Sequence, residues 1–327
     1  MTKPQVSVIV PCRNRGRLLP LSLASLANQS APPEDFEVLI VDDGSTDDTP
    51  AVVERHLGTN FHYFRKTHGG ASSARNYGIE HARARALVFT DPDMIPCPDF
   101  VRRHLALHVS GKETVVIGAK KEVLSHLPWW LPRRPATYAL RKISGTRPAL
   151  FRKVVSRAFT GKMRALLTEQ DVVARFDTLE RLTLPFYLSR PPDLATTAVP
   201  WIFMIGCNFS APAEMLQQVG GFDENFTGWG LEDIELAYRF HRAGARFVYE
   251  PEAASYHQAH GFSLRRNDIT LDRNLRYFIK KHPHLEVQLH GAFIKGHITL
   301  ERYENLVRRY AESDHPCGTS GAGSNNQ

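Results

Sequence analysis

Ala86-Leu-Val-Phe-Thr-Asp-Pro-Asp93 is an apolar run that stops abruptly on two carboxylates. Its length and its Val and Phe content predict a buried strand over 86–90, ended by Asp91. Working back from it, 72–85 reads as a helix and Phe61-His-Tyr-Phe64 as a short strand. Further upstream lies a helix through Val52, Val53 and His56, capped by Ser45 or Thr46. Phe36-Glu-Val-Leu-Ile-Val41 is a strand halted by Asp42-Asp43-Gly44-Ser45. Leu18, Leu19, Leu21, Leu23 and Leu26 form the apolar face of a helix over 18–29, and Val6-Ser-Val-Ile-Val10 is a first buried strand ending at Pro11. Four alternations of strand and helix predict an α/β fold: a Rossmann-like, mostly parallel central sheet flanked by helices. In such sheets ligands sit at the carboxyl ends of the strands, where Asp42 and Asp91 both fall.

The chain has 327 residues, 41 Lys plus Arg against 34 Asp plus Glu, and 42% hydrophobic residues. That composition belongs to a folded globular protein and excludes disordered and fibrous classes. No run of about 18 apolar residues exists, so no transmembrane helix is expected, and the short Val6–Val10 run ending in Pro11, Cys12 and Arg13 does not read as a signal peptide. Cys12, Cys97, Cys207 and Cys317 are too scattered for a C-x-x-C site or a disulfide framework, which favours a cytoplasmic setting.

The pattern changes over 125–200. Pro128-Trp-Trp-Leu-Pro-Arg-Arg-Pro135 is turn-rich, and Arg133 to Arg164 holds ten Lys or Arg and no acid. This stretch reads as an inserted helical and loop segment. Its charge suits a solvated face, an anionic acceptor or an acidic membrane surface; nothing in it resembles a nucleic-acid module. It is too evenly spread for a membrane motif, so membrane association is possible but not favoured. Trp201-Ile-Phe-Met-Ile205 predicts a resumed strand, 213–219 a short helix closed by Gly220-Gly221, and 231–243 a helix stopped by Gly244. Arg246-Phe-Val-Tyr249 predicts another strand, and 267–282 and 300–312 terminal helices. The organisation expected is 1–124 for a first ligand-binding half, 125–200 for the insertion, 201–262 for the second half, 263–312 for the C-terminal helices and 313–327 for a disordered tail.

Several clusters carry chemistry. Asp91 and Asp93 could share one hard cation, although D-x-D alone is weak and most instances are solvated loop acids. Asp42 could accept from a nucleobase or ribose, or could belong to a simple turn and cap. Gly69-Gly-Ala-Ser-Ser-Ala-Arg-Asn76 is a small-residue loop opening a helix, suited to an anion, with Arg75 adding charge. Gly228-Trp-Gly-Leu-Glu-Asp-Ile-Glu235 is the most specific stretch. Trp229 between glycines suits a platform for a sugar ring, and Glu232 and Asp233 in the first helical turn stay ionised and can act as general base. His257, in Tyr256-His-Gln-Ala-His260, matters only as a third ligand beside the acids.

Together, Val6-Ser-Val-Ile-Val-Pro11 with Asn14, Val41-Asp-Asp-Gly-Ser-Thr-Asp47, Ala71-Ser-Ser-Ala-Arg-Asn-Tyr-Gly78 and Asp91-Pro-Asp93 resemble the N-terminal half of a family 2 glycosyltransferase with the GT-A fold. Gly220-Gly-Phe-Asp-Glu224 and Gly228-Trp-Gly-Leu-Glu-Asp-Ile-Glu-Leu236 resemble the acceptor-side signature that this family shares with galactosyltransferases. The motifs run in the family's order from about residue 6 to residue 260. The resemblance implies inverting transfer from a nucleotide sugar, most often a UDP-sugar, to a small-molecule or glycan acceptor, with Mn²⁺ or Mg²⁺. It implies Pro11, Arg13, Asp42 and Arg75 on the nucleotide, with Asp91 and Trp229 also lining the donor site. It implies Asp93 with Asp91 and His257 on the metal, and Asp233, beside Glu232, as the base. Arg13 stands where many relatives carry a base-stacking aromatic; a guanidinium plane can stack too.

The competing expectations are a nucleotide-sugar-binding GT-A protein that has lost catalysis, and a nucleotidyltransferase. Acids at 91, 93, 232 and 233 argue against the first. Pro11-Cys-Arg-Asn14, where a Gly-rich loop with a basic residue would be expected, argues against the second.

Overall fold

Every position of β1 (Val6–Cys12) and β2 (Phe36–Asp42) is buried, because both faces of the sheet are covered. Alternate residues therefore serve two cores. Val6, Val8, Val10 and Cys12 pack with Leu19, Leu21, Leu23 and Leu26 of the Leu19–Ala27 helix and with Val52 and Val53 of the Thr49–His56 helix. Ile9 turns the other way and joins Leu39, Trp201, Tyr238, Phe240 and Phe278. The period of 2 along one strand decides which helices lie on which face.

The computed structural model describes residues 3–109, 113–132, 162–174, 183–184, 191, 193–261 and 264–313, with scattered positions between 136 and 159. β3 (Phe61–Arg65) and β4 (Ala86–Thr90) complete a wholly parallel half in the order β3-β2-β1-β4. The sheet continues through β5 (Met94–Pro96), β6 (Thr114–Val123), β9 (Thr183–Leu184), β10 (Asn208–Pro212) and β11 (Arg246–Gln258), in the path β4-β10-β6-β11-β5 with β9 beside β6. β1, β2, β3, β4, β6 and β11 run one way and β5, β9 and β10 the other. The expected mostly parallel α/β architecture is what the chain adopts. β7 (His126–Pro128) pairs with β8 (Met163–Ala165) as a separate ribbon over a small third core around Leu124, Leu127 and Phe159. Most of the basic stretch 133–164, and the tail 314–327, lie outside the described residues.

Three local expectations are corrected. Trp201-Ile-Phe-Met-Ile205 is not a strand: Pro200–Phe203 forms a 3₁₀ turn and the strand starts at Asn208. Pro200 cannot donate to a ladder, and Trp201 is instead drawn edge-on against Tyr238, ring centroids 5.1 Å apart. Ser45 and Thr46 do not cap the next helix, which begins at Thr49. Ser45 Oγ accepts from Asn14 N (2.9 Å) and Thr46 N donates to Asn14 Oδ1 (2.8 Å), so these residues bind two loops together. β11 runs 13 residues, well past Tyr249, with a register shift between Glu250 and Ser255 that breaks its periodicity. His257 therefore lies inside the strand. The helices Leu264–Lys281 and Leu300–Ser313 are present, with an additional one at Leu285–Ile294.

The antiparallel insertion of β10 is held by a buried polar network. Asn208 donates to Ala119 O (3.0 Å) and Ala253 O (2.9 Å). Its Oδ1 accepts from His104 Nε2 (3.0 Å), and His104 Nδ1 accepts from Ser210 Oγ (2.8 Å). Burial pushes the His104 pKa down to about 3, so the ring is neutral and serves both bonds. Gly118 is what lets Asn208 in: a Cβ there would overlap the Asn208 amide and the Ala253 carbonyl oxygen. Gly118→Ala should therefore cost about 1–3 kcal/mol, read as a lower urea midpoint at unchanged slope. A wild-type midpoint would show that the sheet absorbs the methyl group.

Candidate active site

The loops after β1 and β2 form one unit. Arg15 N donates to Thr49 Oγ1 (2.8 Å), Gly16 N to Asp47 Oδ2 (3.2 Å) and Asp43 N to Cys12 O (2.9 Å). Pro11 is buried and Asp42 fully so; the Asp42 carboxylate accepts from Ser45 N (2.8 Å) and Tyr63 OH (2.7 Å). Asp43 takes Gly69 N and Gly70 N, both at 2.8 Å, and His68 Nδ1 at 2.6 Å. Burial pushes Asp43 up, but those hydrogen bonds and Lys66 outweigh it and hold the carboxyl below its usual range. Arg13 is exposed and donates to His68 Nε2 (3.0 Å), so Asp43, through His68, orients the Arg13 guanidinium plane.

Arg75 is not a free cation waiting for an anion. It is 4% exposed, donates to Asp91 Oδ1 (3.0 Å) and Glu232 Oε1 (3.2 Å), and lies 5.2 Å from the Phe222 ring centroid. One guanidinium thus joins the Ala71–His81 helix, the end of β4 and the start of the Glu232–Arg242 helix. Asp91 is committed to Arg75 and is not part of the cluster around Asp93.

The Gly228–Leu231 turn takes three left-handed residues, Gly228 (φ 80°), Gly230 (φ 101°) and Leu231 (φ 74°). Asn274 donates to Gly230 O (2.8 Å) and Thr270 Oγ1 to Trp229 O (3.1 Å), while the Leu231 side chain is buried in the second core. These contacts hold a non-glycine residue in a conformation that costs about 1–3 kcal/mol. Trp229 is left half-exposed at the turn's tip. The turn delivers Asp233, whose Oδ2 accepts from Gly206 N (2.7 Å) and Oδ1 from Ile234 N (2.8 Å). Burial first, and then the Glu232 carboxylate, raise the Asp233 pKa to about 6, against the pull of the Gly206 bond and Arg75. A carboxylate poised there is basic enough to take a hydroxyl proton at neutral pH.

Asp93, 7% exposed, stands with His257 and His260, their ligand atoms all within 4.8 Å of one another. His260 Nε2 lies 3.0 Å and His257 Nε2 3.8 Å from Asp93 Oδ2. The other Asp93 oxygen, Oδ1, is buried with no hydrogen-bond partner among the described residues. An orphaned carboxylate oxygen beside two imidazoles is the donor set a divalent cation fits. Burial pushes Asp93 up, but His257 and His260 outweigh it and keep the carboxyl well below its usual range. His260 is the ligand candidate that sequence reasoning passed over. Its only signal is its place in the same short stretch as His257, since the fold alone brings it back to Asp93.

If Asp233 is the base, activity should climb about tenfold per pH unit below 6 and level off above 7, because only the carboxylate accepts a proton. Asp233→Asn should abolish that limb and lower turnover by about 10²–10⁴. Donor affinity should stay near wild type. A variant that loses donor binding at normal turnover per bound donor would remove Asp233 from the chemistry.

Comparison with known proteins bears on the family and the fold. The family model for glycosyl transferase family 2 matches residues 7–169, and that for the N-terminal domain of galactosyltransferase matches 196–263. Two relatives, the Validoxylamine A glucosyltransferases of Streptomyces hygroscopicus subsp. limoneus and subsp. jinggangensis (strain 5008), are each 33% identical over 91% of this chain. The chain spans 62% and 67% of their respective lengths. Among solved structures, Staphylococcus aureus TarS residues 1–349 in complex with UDP-GlcNAc aligns over 79% of this chain and 60% of its own, with TM-score 0.52 and 19% identity. The mannosyltransferase PcManGT of Pyrobaculum calidifontis, in complex with GDP-Man and Mn²⁺, aligns over 95% of this chain and 70% of its own, with TM-score 0.51 and 19% identity. At that identity these two speak to the fold. With both halves matched in order and a relative covered over two thirds of its length, the chain belongs to glycosyl transferase family 2 and has the GT-A fold.

Proposed function

We propose that the chain is an inverting glycosyltransferase that moves a hexose from a nucleotide sugar, a UDP-sugar by preference, to the hydroxyl of a small acceptor. The observation that carries the reading is Asp233: a carboxylate raised to about 6, pinned by Gly206 N at a helix start and adjoining the Arg75–Asp91 pair. The acceptor oxygen attacks the anomeric carbon from the face opposite the leaving diphosphate. The new C–O bond forms as the bond to phosphate breaks, and the acceptor proton passes to Asp233. No covalent enzyme intermediate is involved, and buried, unpaired Cys12, Cys97 and Cys207 fit packing roles and a reducing, cytoplasmic setting. Arg13, hydrogen-bonded to His68, suits the nucleobase, and Trp229 suits the transferred sugar.

Asp93, His257 and His260 would hold the divalent cation. When bound, it would neutralise the leaving diphosphate. Two imidazoles and one carboxylate favour Mn²⁺ over Mg²⁺, which prefers all-oxygen shells. Chelation should abolish transfer, Mn²⁺ should restore it better than Mg²⁺, and Asp93→Ala should remove the response and weaken UDP binding. Full turnover in excess chelator would reduce the cluster to structural acids and histidines. A thermal-shift panel of UDP-, GDP- and dTDP-sugars with Mn²⁺ tests the donor, with the largest shift expected for UDP.

We infer a small, free acceptor here; two relatives are named for a single compound, Validoxylamine A. Trp129 and Trp130, 67% and 62% exposed beside β7, offer stacking faces within the insertion. No helix among the described residues is long and apolar enough to cross a membrane. The acceptor KM should change little between low and high salt and should rise when Trp129 and Trp130 are replaced by Ala. A strongly salt-dependent KM with binding to acidic liposomes would point to an anionic or lipid-linked acceptor instead.

A further inference from the structure

Glu122 lies in β6, outside the cluster of potential cation ligands, yet the sheet register sets it directly opposite His257 of β11. Its Oε2 is 2.8 Å from His257 Nδ1. An ionised carboxylate only accepts, so Nδ1 carries the hydrogen and donates it. The lone pair of a neutral ring is then on Nε2, the atom that faces Asp93 Oδ2 at 3.8 Å. The second Glu122 oxygen has Lys120 Nζ at 3.5 Å, and the Glu122 side chain is 13% exposed. Lys120 favours the ionised, accepting form of Glu122. His257 is gripped along its backbone as well, because β11 pairs with β6 on one side and with Met94 of β5 on the other.

We propose that Glu122 is a positioning residue: by accepting from His257 Nδ1 it fixes the ring and its tautomer, so that Nε2 presents its lone pair to a divalent cation shared with Asp93 and His260. This rests on the reading of Asp93, His257 and His260 as the cation site. A carboxylate behind a ligating histidine raises the ligand's basicity and removes the cost of orienting the ring on binding, and losing such a partner typically weakens metal affinity 10- to 100-fold. The alternative, a cross-strand pair that only staples β6 to β11, would lower stability without touching the cation.

The test is Mn²⁺ titration of the full chain, followed by the EPR signal of free Mn²⁺, for wild type, Glu122→Ala, Glu122→Gln, His257→Ala and the Glu122→Ala/His257→Ala double variant. Glu122→Ala should weaken Mn²⁺ binding about 10- to 100-fold. Glu122→Gln, whose amide oxygen still accepts from Nδ1, should fall between it and wild type, and it keeps the test alive if the Ala variant fails to fold. The double variant should bind no more weakly than His257→Ala, because Glu122 acts only through that ring. Unchanged Mn²⁺ affinity in Glu122→Ala, or losses that add fully in the double variant, would overturn the proposal while leaving the cation site intact. Absence of Mn²⁺ binding by the wild type would overturn the cation site and the proposal together.

Discussion

A guanidinium withdrawn from water is stable only where carboxylates meet it, and Arg75 meets two from opposite halves of the chain, Asp91 and Glu232. Losing one partner of a buried pair typically costs about 3–5 kcal/mol, whereas a surface pair contributes about 0–1 kcal/mol, so this contact constrains the fold in a way exposed pairs cannot. It requires the β4 end and the Glu232–Arg242 helix to converge. Gly206 permits the convergence, since a Cβ there would sit 3.2 Å from Arg75 Nη2 and 3.3 Å from Asp233. The same cation explains why the two acids of the helix start differ. Glu232 is spent on Arg75, and Asp233 is left beside that carboxylate, with its own oxygens on backbone N–H groups.

The parallel half was legible because its strands are short, apolar and β-branched and end on Asp or Pro. Burial on both faces imposes that composition. The conclusion that Asp42, Asp91 and Asp233 sit at element ends followed from the same punctuation, and the structure places them there. What those residues touch was not legible. Arg75 looked like an anion receptor because nothing local reveals that two carboxylates, one of them 157 positions away, will claim it. β6 escaped notice since its second half reads Lys120-Lys-Glu122, charges that make sense only once they line a site. Trp201 misled in the opposite sense: an apolar pentapeptide looks like a strand, yet Pro200 and the demand of one large ring for aromatic neighbours turn it into a 3₁₀ turn. β11 was cut short in reading because Pro251 and the register shift hide its period, and with it the place of His257 within the sheet.

Conformational strain and charge meet where the Gly228–Leu231 turn packs on the Leu264–Lys281 helix. Leu231 is held left-handed by its own buried side chain and by neighbours on the Leu264–Lys281 helix. That helix is in turn tied down by Lys281, which meets Asp223 and the fully buried Glu235. Glu235 also receives Arg239 and His282. The C-terminal helices thus brace the turn that aims Trp229 and Asp233, and their contribution to the site is mechanical.

The placement of β10 has a consequence for how the chain comes together. β10 lies between β4 and β6, and β11 must arrive before Asp93 meets His260, 167 positions later in the sequence. Residues 208–212 are the only ladder link between β3-β2-β1-β4 and β6-β11-β5 among the described strands. Contacts so distant in sequence come late, because the loop must close before they reward it. During synthesis the N-terminal half emerges first, with the edge of β4 unpaired and its Val and Phe side chains uncovered, a state prone to pairing with other chains. The cluster of Asp93, His257 and His260 cannot form in that state, because it needs β11 paired with β5.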